Sequence, residues 1–211
     1  MTRKTTRTAL LVVSMLALSA CITVFPKTKP AQLYRFDGRR EPAATQPNSS
    51  IAKVGVVRAG GSFNAAASGD RILTVTGDEV AYLAETRWAG AAVNLFDEAL
   101  LGAFNANAGP ARLVVRGEPA KAAFTLRLDV QRFEAVYDQG SKAAPDVRME
   151  VHVVLVRAAD RALVRDQTIS IHERATGNRV SEIVRAFDQA VGQAVSDVVS
   201  ITDVGVALPA S

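Results

Sequence analysis

Two histidines, one cysteine and a scatter of carboxylates are the residues of this 211-residue chain with the means to do chemistry. His152 and His172 fall on the polar registers of two candidate strands, with Glu150 and Glu173 beside them. Imidazole and carboxylate together bind zinc and similar ions, but a metal centre needs a third ligand at defined spacing and a group to orient each His. Neither is spaced to serve, so the pair reads as solvated surface histidines and no metal is expected. The carboxylate pairs Asp78-Glu79 and Asp97-Glu98 fall in a turn and on the outer face of a helix, where solvation accounts for them. Gly60-Gly61-Ser62 lacks the lysine and the helix start of a phosphate-cradling loop and reads as a flexible loop. There is no Gly-x-Ser-x-Gly elbow to present a nucleophile. An enzyme is not expected.

Cys21 is different because of what precedes it. Arg3, Lys4 and Arg7 lead into an apolar run from Ala9 to Leu18, and Leu18-Ser19-Ala20 places small residues before the only thiol. Charge, apolar run and small residues in that order form a secretory signal peptide. The run is about half of the ~20 residues that span a bilayer. Leu-Ser-Ala-Cys looks like a bacterial lipobox, at which the cysteine is lipidated and becomes the mature N-terminus. Covalent lipid on Cys21 is then the one attached group, and no cofactor is expected. With no second cysteine, no intramolecular disulfide can form.

Removing the signal changes the electrostatics. Of 25 basic residues, Arg3, Lys4 and Arg7 leave, and 22 remain against 21 acidic, a balance of +1. The high isoelectric point is therefore no argument for nucleic acid, and no basic stripe interleaved with aromatics appears. About 190 residues remain, enough for one domain with a core. The organisation read from composition is a signal peptide over 1–20, a Pro-containing tether over 21–32, a domain over 33–204 and a tail over 205–211.

The positioning elements follow from periodicity. Short strands are predicted at Leu33-Tyr34-Arg35-Phe36, over 51–57, over 71–75 and at Val80-Ala81-Tyr82-Leu83, with a loop over 37–50. A helix is predicted over 87–107, capped by Thr86 and stopped by Gly109-Pro110, with Trp88, Phe96 and Phe104 on its apolar face. Tyr82, Trp88, Phe96 and Phe104 form a candidate aromatic cluster, serving either as core or as partner contact. A short strand over 113–115 and three long strands follow, over 124–131, 147–155 and 163–172, with apolar and charged residues alternating. The alternation slips near Arg132-Phe133, which marks a bulge. A last helix is predicted over 179–201, capped by Asn178. Together these give an α+β fold, a two-layer sandwich with a mainly antiparallel sheet covered by two amphipathic helices.

The run Val80-Ala81-Tyr82-Leu83-Ala84-Glu85-Thr86-Arg87-Trp88-Ala89, followed by Leu95-Phe96 and Leu100, resembles the ABC-type transport auxiliary lipoprotein family, the PqiC-like proteins. The early Leu33-Tyr34-Arg35-Phe36 strand, the apolar strand over 51–57, the meander and the final helix extend the resemblance over about residues 33 to 202. Gly90-Ala91-Ala92 stands where the family often has a proline after Trp-Ala. Arg58-Ala59-Gly60-Gly61 replaces a Pro and an apolar Tyr-Leu step. The resemblance implies a non-enzymatic subunit of an envelope lipid-transport system, anchored to a membrane by lipid. Its partners would be ABC transporter subunits and an MCE-type protein, with a homo-oligomer by analogy. The cargo would be phospholipid or another hydrophobic molecule. Ile22 in place of Asp after the lipidated cysteine implies the outer membrane, facing the periplasm. The same anchor and tether would also suit an envelope assembly factor or synthase activator.

Overall fold

The computed structural model describes residues 30–38, 53–115 and 117–208. The chain divides after Pro30, and every element belongs to the second unit, from Ala31 onward. The strands are β1 (Gln32–Tyr34), β2 (Val54–Arg58), β3 (Ser62–Phe63), β4 (Arg71–Thr76) and β5 (Glu79–Trp88). Helix α1 (Ala92–Ala106), β6 (Ala111–Val114), β7 (Phe124–Val136), β8 (Asp146–Arg157), β9 (Leu163–Arg174) and helix α2 (Val180–Val206) follow. The expected signal peptide, Cys21, most of the tether, residues 39–50 of the expected loop, and Ile51 and Ala52 lie outside the described residues. Among the described residues no helix is long and apolar enough to cross a membrane.

The nine strands among the described residues join one sheet, with β7 as its spine. On one edge β7 pairs antiparallel with β8 over its whole length, and β8 pairs antiparallel with β9. The other edge takes three short strands in series, all parallel to β7. These are β2 beside residues 124–126, β3 beside 129–130 and β4 beside 135–136. From β2 the sheet continues to β6 in parallel, and from β4 to β5 antiparallel and on to β1 in parallel. The sequence predicts a mainly antiparallel sheet, and the long strands keep that sense. Five of the eight pairings are nevertheless parallel. The reason is that the chain from β2 to β4 advances along β7 without reversing. Alternation reports which face is buried, not the direction of the neighbour.

A bulge sets which residues of β7 face inward. Its register with β8 shifts between Val130 and Arg132, leaving Gln131 as the extra residue. Before the shift Phe124, Leu126, Leu128 and Val130 are buried; after it Phe133 and Ala135 are. Strict alternation through Gln131 and Arg132, without the bulge, would turn Phe133 to the charged face. Instead its ring lies 4.8 Å from Phe187 of α2, 5.4 Å from Phe36, 5.6 Å from Phe63 and 6.2 Å from Trp88, centroid to centroid.

Both helix starts differ from expectation. The predicted first helix begins five residues late because 86–88 belong to β5, where they pair with β1. Thr86 is therefore no cap, and its hydroxyl donates to the Ala84 carbonyl. The α1 amides of Ala92 and Val93 instead donate to the carbonyls of Gly69 and Ser68, which removes the need for a capping side chain. At α2 the capping residue is Arg179, whose N–H donates to Glu182. Asn178 accepts from Tyr137 and donates to the Ser141 carbonyl, tying down the β7–β8 loop. Helix α2 also runs beyond its expected end, through Val206, because Gly205 is small enough to sit against Leu155. It packs on β8, β9 and α1.

Gly60-Gly61, expected as a flexible loop, makes a close crossing. Ala59 N–H donates to Leu126 and Asn64 N–H to Val130, so the link hugs the edge of β7. Gly61 has φ of 96°, and a Cβ there would lie 2.1 Å from the Leu128 carbonyl oxygen. Gly60 has φ of 70° with open space around it. Gly60→Ala is expected to cost about 1 kcal/mol from backbone strain, and Gly61→Ala about 2 kcal/mol or more. Urea denaturation of the two variants checks this, and equal losses would contradict the close crossing.

Candidate docking surface

Trp88, Phe96 and Phe104, three of the four aromatic residues singled out in the sequence, are buried in one core, and Tyr82 is half-buried against it. Trp88 closes β5, not the face of a helix, and packs edge-on against Phe36 at 5.0 Å and Phe187 at 5.3 Å. Phe96, on α1, meets Phe63 at 6.2 Å, and Phe104 joins the same core without a ring contact to these. The Arg71 guanidinium sits 3.8 Å over the Tyr82 ring, and the Tyr82 hydroxyl donates to Ala66. The residues that complete the aromatic group are Phe36, Phe63, Phe133 and Phe187, dispersed through the chain where no local spacing links them. Cys21 lies outside the described residues.

The histidines sit on the sheet face that carries the charged side chains. His152 faces Asp129 of β7 on one side and Asp166 of β9 on the other, with Nε2 2.7 Å from Asp166 Oδ1 and Nδ1 3.8 Å from Asp129 Oδ2. Asp129 is only 6% exposed and also accepts from the Ser62 hydroxyl at 2.8 Å and Arg127 at 2.9 Å. Burial raises the Asp129 carboxyl, and those hydrogen bonds outweigh it, holding it below the ordinary range. His172 meets Asp146 at 3.0 Å, which Arg148 also contacts at 2.9 Å. Desolvation again raises Asp146, and its hydrogen bonds with His172 and Arg148 bring it below normal. Arg174 grips Asp138 with two hydrogen bonds of 2.6 and 2.8 Å, lowering that carboxyl to about 2. Among the described residues no three His, Cys, Asp or Glu gather so as to hold a metal ion. These contacts satisfy charge strand by strand and do not converge on a substrate-sized cavity. Of the other carboxylates considered, Asp78 turns the β4–β5 hairpin, and Asp97 pairs with Arg58.

Concave surface lies between the outer edge of β9 and α2, and His172 is the one of the two histidines that borders it. A concavity of ≈ 480 Å³ is lined by Gly38, residues 170–173 and Asp188, Gln189, Gly192 and Gln193. A second, of ≈ 310 Å³, continues it along residues 167–169 opposite Asp197, Ser200 and Ile201. The first is closed at one end by the segment after β1. Asp188 accepts the N–H groups of Asp37 and Gly38, both at 2.9 Å, and draws that segment across the helix. The crossing needs two glycines. A Cβ on Gly192 would lie 3.0 Å from the Gly38 oxygen, and Gly38 itself has φ of 61°. Sequence reasoning missed Gly38, Asp188 and Gly192. A signal for Asp188 and Gly192 was the neighbouring exposed positions of α2, where Gln189, Ser196 and Ser200 replace the Lys and Glu usual on a solvated helix.

The family model described as ABC-type transport auxiliary lipoprotein component matches residues 34–199. No curated protein matches the chain. Among solved structures, a Xanthomonas campestris protein of the DUF330 family superposes with a TM-score of 0.67 at 21% identity, over 82% of this chain and 96% of its own. An uncharacterized protein gives a TM-score of 0.61 at 13% identity, over 82% and 98%. A hypothetical protein from Chlamydia trachomatis gives 0.50 at 11% identity, over 74% and 99%. At these identities the likeness is one of fold.

The carboxylates set an acid limit on stability. Because folding lowers Asp138 from 3.8 to about 2, its contribution is full above pH 4 and is lost as the pH falls from there towards 2. Asp129 and Asp146, shifted the same way, add to that loss. Thermal melts across pH are expected to hold level from neutral down to about pH 5 and drop below about pH 4, with a smaller drop in Arg174→Gln. A fall centred near pH 6 would contradict this.

Proposed function

The chain belongs to the ABC-type transport auxiliary lipoprotein component family, and on that footing we propose that it is a lipid-anchored docking subunit of an envelope transport system. Membership gives it a transporter for a partner and the cell envelope for a place. In the finer reading the transporter works with an MCE-type protein, and the cargo is phospholipid or another hydrophobic molecule. Cys21 carries the lipid, at the outer membrane and facing the periplasm, and the Pro-containing tether gives the folded domain reach. The observation that carries this reading is the family match over residues 34–199, which takes in β2 to β9 and most of α2. A non-enzymatic role is supported by the use of both histidines in hydrogen bonds to carboxylates of neighbouring strands.

A single acyl chain anchors only marginally, whereas several together hold firmly. The wild-type chain is therefore expected in the membrane pellet and Cys21→Ala in the soluble fraction. Deletion of the gene is expected to sensitise cells to detergent, Cys21→Ala to fail to restore resistance, and the tagged chain to co-purify with an MCE-type protein. Unchanged detergent resistance after deletion, or labelled palmitate entering Cys21→Ala, would contradict the reading.

A further inference from the structure

The groove between β9 and α2 has the features of a strand-addition site. Among the described residues β9 pairs with β8 alone, so the N–H and C=O groups along its other edge have no strand beside them. Charged residues usually guard such an edge. Here they stand at the ends of β9, and the five residues from Gln167 to Ile171 carry no charge. The floor is apolar, with Ile169 and Ile171 from β9 and Ile201 from α2. The formal charges lining the two concavities are those of Glu173, Asp188 and Asp197, with His172 and no Lys or Arg. Residues 167–173 span about 20 Å at the rise of a strand, room for about six residues of an incoming segment.

We infer that this groove receives an extended, basic segment of a partner protein, which pairs with the free edge of β9 beneath α2. Main-chain hydrogen bonds supply affinity, apolar side chains at alternate positions settle on Ile169 and Ile171, and Lys or Arg meets Glu173 and Asp197. The inference rests on the docking-subunit reading and adds where the partner is held and by what chemistry.

The probe is a capped heptapeptide of alternating lysine and valine, added to the purified full chain and followed by amide hydrogen exchange. In the free chain the outward amides of β9 should exchange fast, and the peptide should slow them while leaving β5 and β6 unchanged. Glu173→Lys with Asp197→Lys should weaken binding about tenfold or more, as reversed charge does at an interface. If that variant melts early, wild-type binding that weakens as salt is raised establishes the same dependence on charge, and binding indifferent to salt contradicts it. Equal binding of a glutamate–valine heptapeptide, or protection on another strand, would overturn the proposal. So would β9 amides already protected in the free chain, since its own residues or a second copy would then hold the edge. Peptide failure with detergent sensitivity intact would remove the strand site alone, and normal resistance with peptide binding intact would remove the transport role alone.

Discussion

One inserted residue in one strand decides where the core of this protein lies. Gln131 shifts the register of β7 against β8 and turns Phe133 inward. From there Phe133 reaches the segment after β1 through Phe36, β3 through Phe63, the end of β5 through Trp88, and α2 through Phe187. Each such ring pair contributes about 0.5–1.5 kcal/mol beyond the area it buries. The same strand uses both its edges, one for β8 and the other for β2, β3 and β4 in series. Parts of the chain far apart in sequence are thus held by a single strand, and Gly61 is the small residue that lets the series of short strands run close along it.

The division of labour between surfaces follows from this arrangement. Apolar positions of β7 and β8 are buried, Met149, Val151 and Val153 among them. Their alternate positions carry ion pairs and His152, and β9 adds His172, each histidine engaged by a carboxylate. The more exposed of these pairs, such as Arg132 with Glu150, add little stability singly, and their effect is to keep that face hydrated. Beside α2 the pattern changes. There the helix shows amides, hydroxyls and glycine, and β9 shows an uncharged stretch.

Much of the fold was legible because burial leaves a period in the sequence. The long strands, the slip near Arg132-Phe133 and the apolar stripe of α2 all followed from spacing. Trp88 was misplaced on a helix because its apolar neighbours also fit a period of 3.6, and only pairing with β1 assigns it to a strand. Thr86 and Asn178 look like caps, yet the helix starts are satisfied by Gly69, Ser68 and Glu182. The parallel pairings left no trace, since direction depends on contacts far apart in the chain. The docking surface was equally hidden. Gly38 and Gly192 are 154 positions apart and acquire meaning only where one backbone crosses the other.

Site-specific photo-crosslinking in cells tests the central claim, that this chain is a docking subunit of a transporter, most directly. A photoreactive residue placed at Gln167 or Ser200, in the groove, is expected to give an adduct with a transporter or MCE-type subunit. The same residue at Arg132, on the charged face, is expected to give none. Adducts from Arg132 alone, or groove adducts only with copies of the chain itself or with cell-wall proteins, would contradict the account.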